Sequence, residues 1–238
     1  MKREQHVCLV CGFNMIGFHP DHCPFCGADK KNFITAEECS ARFKVIGTPV
    51  NDKITRLNSH PKLGLEHAAY RIETEQGPCW IDSPSSFDAS LKPMDTIFFT
   101  HHHFLGASNL YREHFKAQVR IHHEDSIHEI CRPFTFDGTF NENFTHQGIE
   151  AFHVDGHTPG FTFYIFEDVL LICDYVFLIG ESMKYNPYGP VGLTVSGGKR
   201  IREILEGRIL TQVCGVNYVV NYCEWKRKFE EGPLFGGY

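Results

Sequence analysis

From about residue 43 onward the apolar residues fall in short runs cut by glycine, proline and aspartate. This pattern predicts strands over residues 68–73, 79–81, 96–100, 118–121, 149–154, 162–166 and 169–173, with another near 216–220. Helical spacing predicts helices over 107–115 and 198–205; Ser196, ahead of two glycines and the amphipathic run from Lys199 to Leu205, reads as the second helix's start. Strands rich in hairpins with few helices between them imply stacked sheets covered by helices, not a regular βαβ alternation. There is no internal repeat and no low-complexity linker. The first 34 residues stand apart: Cys8-Leu9-Val10-Cys11-Gly12 and Cys23-Pro24-Phe25-Cys26-Gly27 form a pair of CxxCG knuckles joined by a short loop.

Composition narrows the picture. A chain of 238 residues, 42% hydrophobic and 13% aromatic, can bury a full core and is not a disordered polypeptide. Its formal charge of −6 gives no electrostatic reason to expect nucleic acid or an anionic membrane as partner. No run approaches the roughly 18 apolar residues that span a bilayer. The start, Met1 to His6, leads into the first knuckle without room for a signal-peptide core, so a cytoplasmic location is expected. In such a reducing compartment 10 cysteines and 15 histidines, unevenly placed, point to metal rather than disulfides. The segment holding the knuckles is too small for an apolar core of its own, and a tetrathiolate metal supplies the missing staple. The glycine after each second cysteine permits φ > 0, which lets a tight turn aim backbone N–H groups at sulfur.

The aromatic in Cys11-Gly12-Phe13, the shortened connector, and Cys23 to Ala28 followed by Lys30-Lys31-Asn32-Phe33 resemble a rubredoxin-like iron site of the short kind found in rubrerythrins. The resemblance covers residues 6–34. It implies one iron held by Cys8, Cys11, Cys23 and Cys26 and used for one-electron transfer. Tetrahedral sulfur ligation by itself suits zinc as well.

In the rest of the chain, polar clusters sit where strands end: Asp82 after 79–81, His101-His102-His103 after 96–100, Gly156-His157-Thr158-Pro159-Gly160, and Asp174 after 169–173. In order, they resemble the motifs of the metallo-β-lactamase fold superfamily. Asp82 matches the acid after the second strand, and Thr100-His101-His102-His103 the start of the HxHxDH motif. Residues 156–160 match the third motif, and Cys173-Asp174 stands where the bridging aspartate belongs. The implied fold is α/β, a four-layer αββα metallo-β-lactamase-like sandwich over 43–238, preceded by a small rubredoxin-like metal knuckle domain over 1–36.

The departures from the motifs matter as much. Leu105-Gly106 replaces the Asp-His that completes HxHxDH, and Asn221-Tyr222-Cys223 stands where the family's last histidine would be. Ligands of the second metal site are thus missing together. What remains is His101, His103, His157 and Asp174: three histidines suit zinc, and two with a carboxylate suit non-haem iron. The superfamily's persulfide dioxygenase branch holds one iron at the positions of His101, His157 and Asp174, with His103 then a fourth ligand or neighbour. An extended strand through 101–103 would turn His102 away from this site. Asp82 is read as an organiser of loops by hydrogen bonding, and His102, His122 and His123 as structural. Cys39, Cys79, Cys131, Cys173, Cys214 and Cys223 are expected to be buried thiols, and Tyr175, Tyr185 and Tyr188 packing residues.

Three functions stay open. In the first, the rubredoxin-type iron passes electrons, within one chain or across a homodimer, to a mononuclear iron or zinc site that meets a small-molecule substrate or electron donor. The second is a metal-dependent hydrolase, disfavoured because residue 105 offers no carboxylate to fix the attacking water. The third is a non-catalytic metal-binding protein.

Overall fold

The computed structural model describes residues 4–235; the outer limits expected for the two domains, residues 1 and 238, lie outside the described residues. The chain divides into two compact units, one running to Ile121 and resuming over Ser126–Phe140, the other made of His122–Asp125 and the chain from Asn141 onward.

The first unit opens with a three-stranded antiparallel sheet in the order Asn14–Ile16, Gln5–Cys8, Phe33–Thr35, which carries the knuckles. A seven-stranded sheet follows, in the order Gly138–Phe140, Gln118–His122, Thr96–Phe98, Gly77–Ile81, Ala69–Thr74, Ile54–His60, Lys44–Pro49. Its strands Gly77–Ile81, Thr96–Phe98 and Gln118–His122 run parallel, so the loops that leave their C-terminal ends gather at one edge. Helix Ser108–Phe115 packs Tyr111 against Trp80, Ile97, Val119 and Ile121.

The second unit holds a six-stranded sheet in the order Phe144–His146, Ile149–His153, Thr162–Phe166, Val169–Cys173, Gln212–Gly215, Val219–Asn221. Its central strands Thr162–Phe166 and Val169–Cys173 are buried at every residue, as their almost unbroken apolar sequences require. Helices Val191–Leu205 and Tyr222–Glu231 cover one face through Ile201, Leu205, Trp225 and Phe229. No helix among the described residues is long and apolar enough to cross a membrane.

Several elements differ from the sequence reading. The second long helix begins at Val191, not at 198. Gly197 and Gly198 lie inside it because a Cβ there would strike Asp155, Tyr175 and Tyr185, so they mark close packing rather than a helix start. The strand expected near 216–220 is a hairpin of Gln212–Gly215 and Val219–Asn221. Strands Lys44–Pro49 and Ile54–His60 went unread because the first, at the sheet edge, is mostly exposed and lacks apolar alternation. Helix Ala36–Arg42 was also missed, although the reciprocal Thr35–Glu38 capping box that starts it is visible in the sequence.

The knuckle sheet is joined to its unit at backbone level. Leu65 N–H donates to the Val10 carbonyl at 3.2 Å, and Gly64, at φ 53°, lies so close that a Cβ would overlap the Val10 carbonyl. Val7 packs with Cys39, Phe43 and Leu63. Gly64→Ala is therefore expected to cost about 2–3 kcal/mol, from a left-handed backbone and a blocked approach together. Urea unfolding checks this; a variant within about 0.5 kcal/mol of the parent would mean the knuckle is not seated this tightly.

Candidate metal centres

The four knuckle sulfurs lie within 4.8 Å of one another, with Cys8–Cys26 at 3.8 Å and Cys11–Cys23 at 3.7 Å. Tetrahedral thiolate ligation with bonds of about 2.3 Å needs sulfurs about 3.8 Å apart, so the donor set fits a metal. The knuckles are matched: Gly12 at φ 83° and Gly27 at φ 72° donate to the carbonyls of Cys8 and Cys23, at 2.7 and 2.8 Å. The glycine amides thus close the turns, and it is the amides of Val10 and Cys11 that reach the Cys8 sulfur and those of Phe25 and Cys26 that reach Cys23. The thiols titrate as a group: hydrogen bonding with Cys11 pulls Cys8 below the ordinary thiol range, and hydrogen bonding with Cys23 pushes Cys11 above it.

Phe25, between Cys23 and Cys26, carries this cluster toward the histidines. Its ring centroid lies 6.0 Å from Phe13, 5.0 Å from Phe104 and 5.4 Å from His103.

In the same unit the strand Thr96–Phe98 ends before the histidines, and His102–Phe104 is a 3-10 turn rather than extended chain. The expectation that His101 and His103 share a strand face is corrected accordingly. The turn still brings their rings to 4.8 Å, while His102 is buried in a stack with His128 at 4.1 Å. Asp82, at φ 62°, accepts from Thr100 N at 2.9 Å and from Thr100 Oγ1 at 3.0 Å, and Thr100 Oγ1 is 2.9 Å from His101 Nδ1. The hydroxyl hydrogen is committed to the carboxylate, so its oxygen accepts from Nδ1–H. That tautomer puts the His101 lone pair on Nε2, the form a ligand needs. Asp82 is thus an organiser in fact. His67, which the sequence reading did not single out, lies 6.1 Å from His101 and stacks on Phe104 at 3.3 Å.

In the second unit Cys173 takes φ 48° where the pairing register shifts, and this break in the strand turns Asp174 out of the sheet. Asp174 Oδ2 lies 3.4 Å from His157 Nε2, with both side chains buried. Asn186 Nδ2 donates to Asp174 Oδ2 at 2.9 Å and to the Asp174 carbonyl at 3.1 Å, and stands 3.2 Å from His157 Nε2. The loop carrying His157 is clamped by the fully buried Asp125, which accepts from Thr158 Oγ1 at 2.9 Å and Gly160 N at 3.1 Å. A Cβ on Gly160 would press on Asp125 and His122, so that glycine is fixed by the clamp. Asn186 and Asp125 escaped the sequence reading because neither lies in a recognisable motif. Burial pushes the His122 imidazole below its ordinary pKa where it stacks on His153 at 3.9 Å, a structural role.

The departures have physical causes. Leu105 is 1% exposed and belongs to the apolar core of the first unit. Gly106 adopts φ 53°, and any Cβ there would meet the carbonyls of Ser83 and Pro84. Asn221 caps helix Tyr222–Glu231, accepting from Cys223 N and Glu224 N. Cys223 is exposed, contrary to the expectation of a buried thiol, because it sits in that helix's first turn; Cys39, Cys79, Cys131, Cys173 and Cys214 are buried. Tyr175 and Tyr185 are core residues, whereas Tyr188 is exposed, the outer side of its loop offering it nothing to pack on.

No protein-family model and no curated protein matches this chain. Solved structures do. A metallo-β-lactamase from Pontibacter korlensis superposes with a TM-score of 0.64 at 13% identity, over 79% of this chain and 99% of that one. The di-iron-bound form of TTHA1623 gives 0.55 at 19% identity, over 68% and 93%. An archaeal metallo-β-lactamase superfamily protein from Sulfolobus tokodaii gives 0.52 at 14%, over 69% and 79%. At these identities the likeness is one of fold: the chain has the α/β metallo-β-lactamase-like fold expected of it, and the cysteine cluster with its strands fits a small knuckle domain.

Installing the Asp-His of the HxHxDH motif at 105 and 106 should therefore fail. Leu105→Asp/Gly106→His is expected to lose about 3 kcal/mol or more, through a burdened left-handed backbone and a charge in an apolar core. Chemical denaturation and metal analysis check this together. A stable double variant that binds one more metal per chain than the parent would overturn the account of residues 105 and 106.

Proposed function

We propose that the protein is an iron-dependent redox protein. In this reading Cys8, Cys11, Cys23 and Cys26 hold a rubredoxin-type iron, and His101, His103, His157 and Asp174 hold a single metal that receives its electrons. The observation that carries the reading is Phe25: it is bounded by two of the cysteines and its ring abuts His103 at 5.4 Å. A zinc staple needs no such contact with a histidine ligand. Iron in both places supplies one-electron chemistry, and the histidine and carboxylate donors of the second suit a mononuclear non-haem iron.

The chain's own residues then have definite tasks. Asp82 and Thr100 keep His101 in its ligating tautomer, and Asp125 holds the His157 loop rigid. Phe25 places an aromatic ring between the cysteine cluster and His103, with Phe104 packed edge-on against it. The substrate of this reading is a small oxidant such as oxygen or a persulfide. The hydrolase alternative loses ground because residue 105 is in the core and offers nothing to fix a nucleophilic water.

Anaerobic purification from iron-supplemented cells, with metal analysis and a visible spectrum, tests the reading. The expected protein is red, bleaches on reduction and carries two metals per chain. Cys23→Ser abolishes the colour, and His157→Ala empties the second site alone. Exposing the reduced protein to oxygen or a persulfide should re-oxidise the cysteine-bound iron quickly in the parent and slowly in both Asp174→Ala and Phe25→Leu. A colourless protein holding one tight zinc, or re-oxidation at the parental rate in Asp174→Ala, would sink the proposal. Turnover of a thioester or lactam lost on His157→Ala would promote the hydrolase instead.

A further inference from the structure

Glu66 is a carboxyl group buried to 3% exposure in the unit that carries the cysteine knuckles, and every donor it meets is uncharged. Oε2 accepts from Ser59 N at 2.8 Å, and Oε1 accepts from Ser59 Oγ and Ser85 N, both at 2.7 Å. The group backs onto the first knuckle. A Cβ on Gly12, the residue after Cys11, would lie 3.5 Å from Glu66 Cβ and 2.6 Å from Ser85 Oγ. Asn14 Nδ2 closes the same contact by donating to the carbonyls of Gly12 and Ser85, each at 3.1 Å. Burial pushes the Glu66 carboxyl above its ordinary range, against the pull of the Ser59 and Ser85 donors. Of the titratable groups around it, burial keeps Cys39, pushed up to about 11, and Tyr111 neutral. Asp88, beyond Tyr111, is held below its ordinary range because burial is outweighed by the donors of Ser90 and Val45. His67 is next along the chain, and the four thiols lie on the knuckle side. Glu66 can be satisfied in either protonation state. The Ser59 hydroxyl donates to the carboxylate, and its lone pairs can accept from Oε1–H once the group is neutral, while Ser59 N–H keeps Oε2 in both.

We propose that Glu66 is a proton site coupled to the iron of the cysteine knuckles: when an external one-electron donor reduces that iron, one proton from solvent passes to the Glu66 carboxylate, and re-oxidation returns it. Reduction by one electron adds one negative charge to the tetrathiolate. A second negative charge buried against the same turn opposes it in a medium of low dielectric, and the proton removes the conflict. The sign follows from linkage. Below the pKa of Glu66 the carboxyl is neutral in both oxidation states and reduction is easiest. As pH rises through that pKa the ferric form loses the proton first, and the potential falls. It levels off once both forms are ionised. This inference rests on the reading that the four cysteines hold an iron that cycles between ferric and ferrous, and it adds a proton to that cycle.

The test is a redox titration of the full-length, iron-loaded protein, following the ferric tetrathiolate colour at equilibrium from about pH 5 to about pH 9. The parent's potential should fall across this range by about 59 mV, a tenfold change in the reduction equilibrium for one electron. Glu66→Gln carries no titrating proton and should give a flat profile. Ser59→Ala removes a donor that favours the ionised form, so its fall should move to higher pH by about one unit. A merely structural role for Glu66 would alter stability without a pH-dependent potential in the parent. Zinc-loaded protein supplies a readout that needs no iron: the infrared carbonyl band of a protonated carboxyl should vanish as pH rises and be missing from Glu66→Gln. If the protein takes up no iron at its cysteines, the redox reading fails and the inference with it. If iron binds but the parental potential is flat, or its slope survives in Glu66→Gln, the inference alone is overturned. Should Glu66→Gln not fold, Ser59→Ala decides: a profile at the parental pH overturns the proposal.

Discussion

A carboxylate removed from water must be given hydrogen-bond donors or a cation, and the arrangement of both units follows from meeting that demand repeatedly. Glu66, Asp82, Asp125 and Asp174 are all buried, and each is met by donors from its own unit. Glu66, its pKa raised by burial, accepts from Ser59 N and Oγ and from Ser85 N, at 2.8, 2.7 and 2.7 Å, tying a strand of the seven-stranded sheet to the loop after Asp82. Asp82 fixes Thr100 and through it His101; Asp125 fixes the loop of His157; Asp174 is held by Asn186. Only Asp174 among these stands against a histidine that could share a metal with it. The other three are satisfied by the chain and serve to aim neighbours.

The cysteine knuckles are tied to their surroundings in a similar way. Asn14 Nδ2 donates at 3.1 Å to the carbonyl of Ser85, the same residue whose amide Glu66 holds, and a Cβ on Gly12 would press on Ser85. The first knuckle therefore lies against the loop that organises Asp82. A segment of this size gains little from its own apolar core, and here it borrows that of its neighbour: Cys8, Cys11, Phe13 and Met15 are buried together with Phe25 and Ile130 packed against them. A metal bound by the four cysteines would staple a segment that already packs against the rest of its unit.

What could be read in the sequence was the chemistry that depends on spacing. CxxCG twice, a histidine cluster after a strand, Gly-His between glycines and an acid after a buried run are local signals, and their positions within the strands held to a residue or two. What escaped was everything set by contact at a distance. The 3-10 turn at His102–Phe104 has no local signature and replaces an extension that strand periodicity favours. Gly197-Gly198 reads as a helix boundary until tyrosines pack onto it. Asn186 is one of several asparagines in loops, and only the fold shows that its amide meets Asp174. Gly106 looked like a lost ligand, whereas its φ of 53° and the carbonyls around it show a backbone rebuilt to exclude any side chain.

Residues 105, 106 and 221 each have a structural task. Leu105 fills the core of its unit, Gly106 lets Ala107 N–H reach the Pro84 carbonyl at 2.8 Å, and Asn221 starts a helix whose Trp225 and Phe229 complete the core of the other. A single metal that is to do redox chemistry needs an electron source outside its own ligand shell, and in this chain a cluster of four cysteines is packed, through one phenylalanine, against His103.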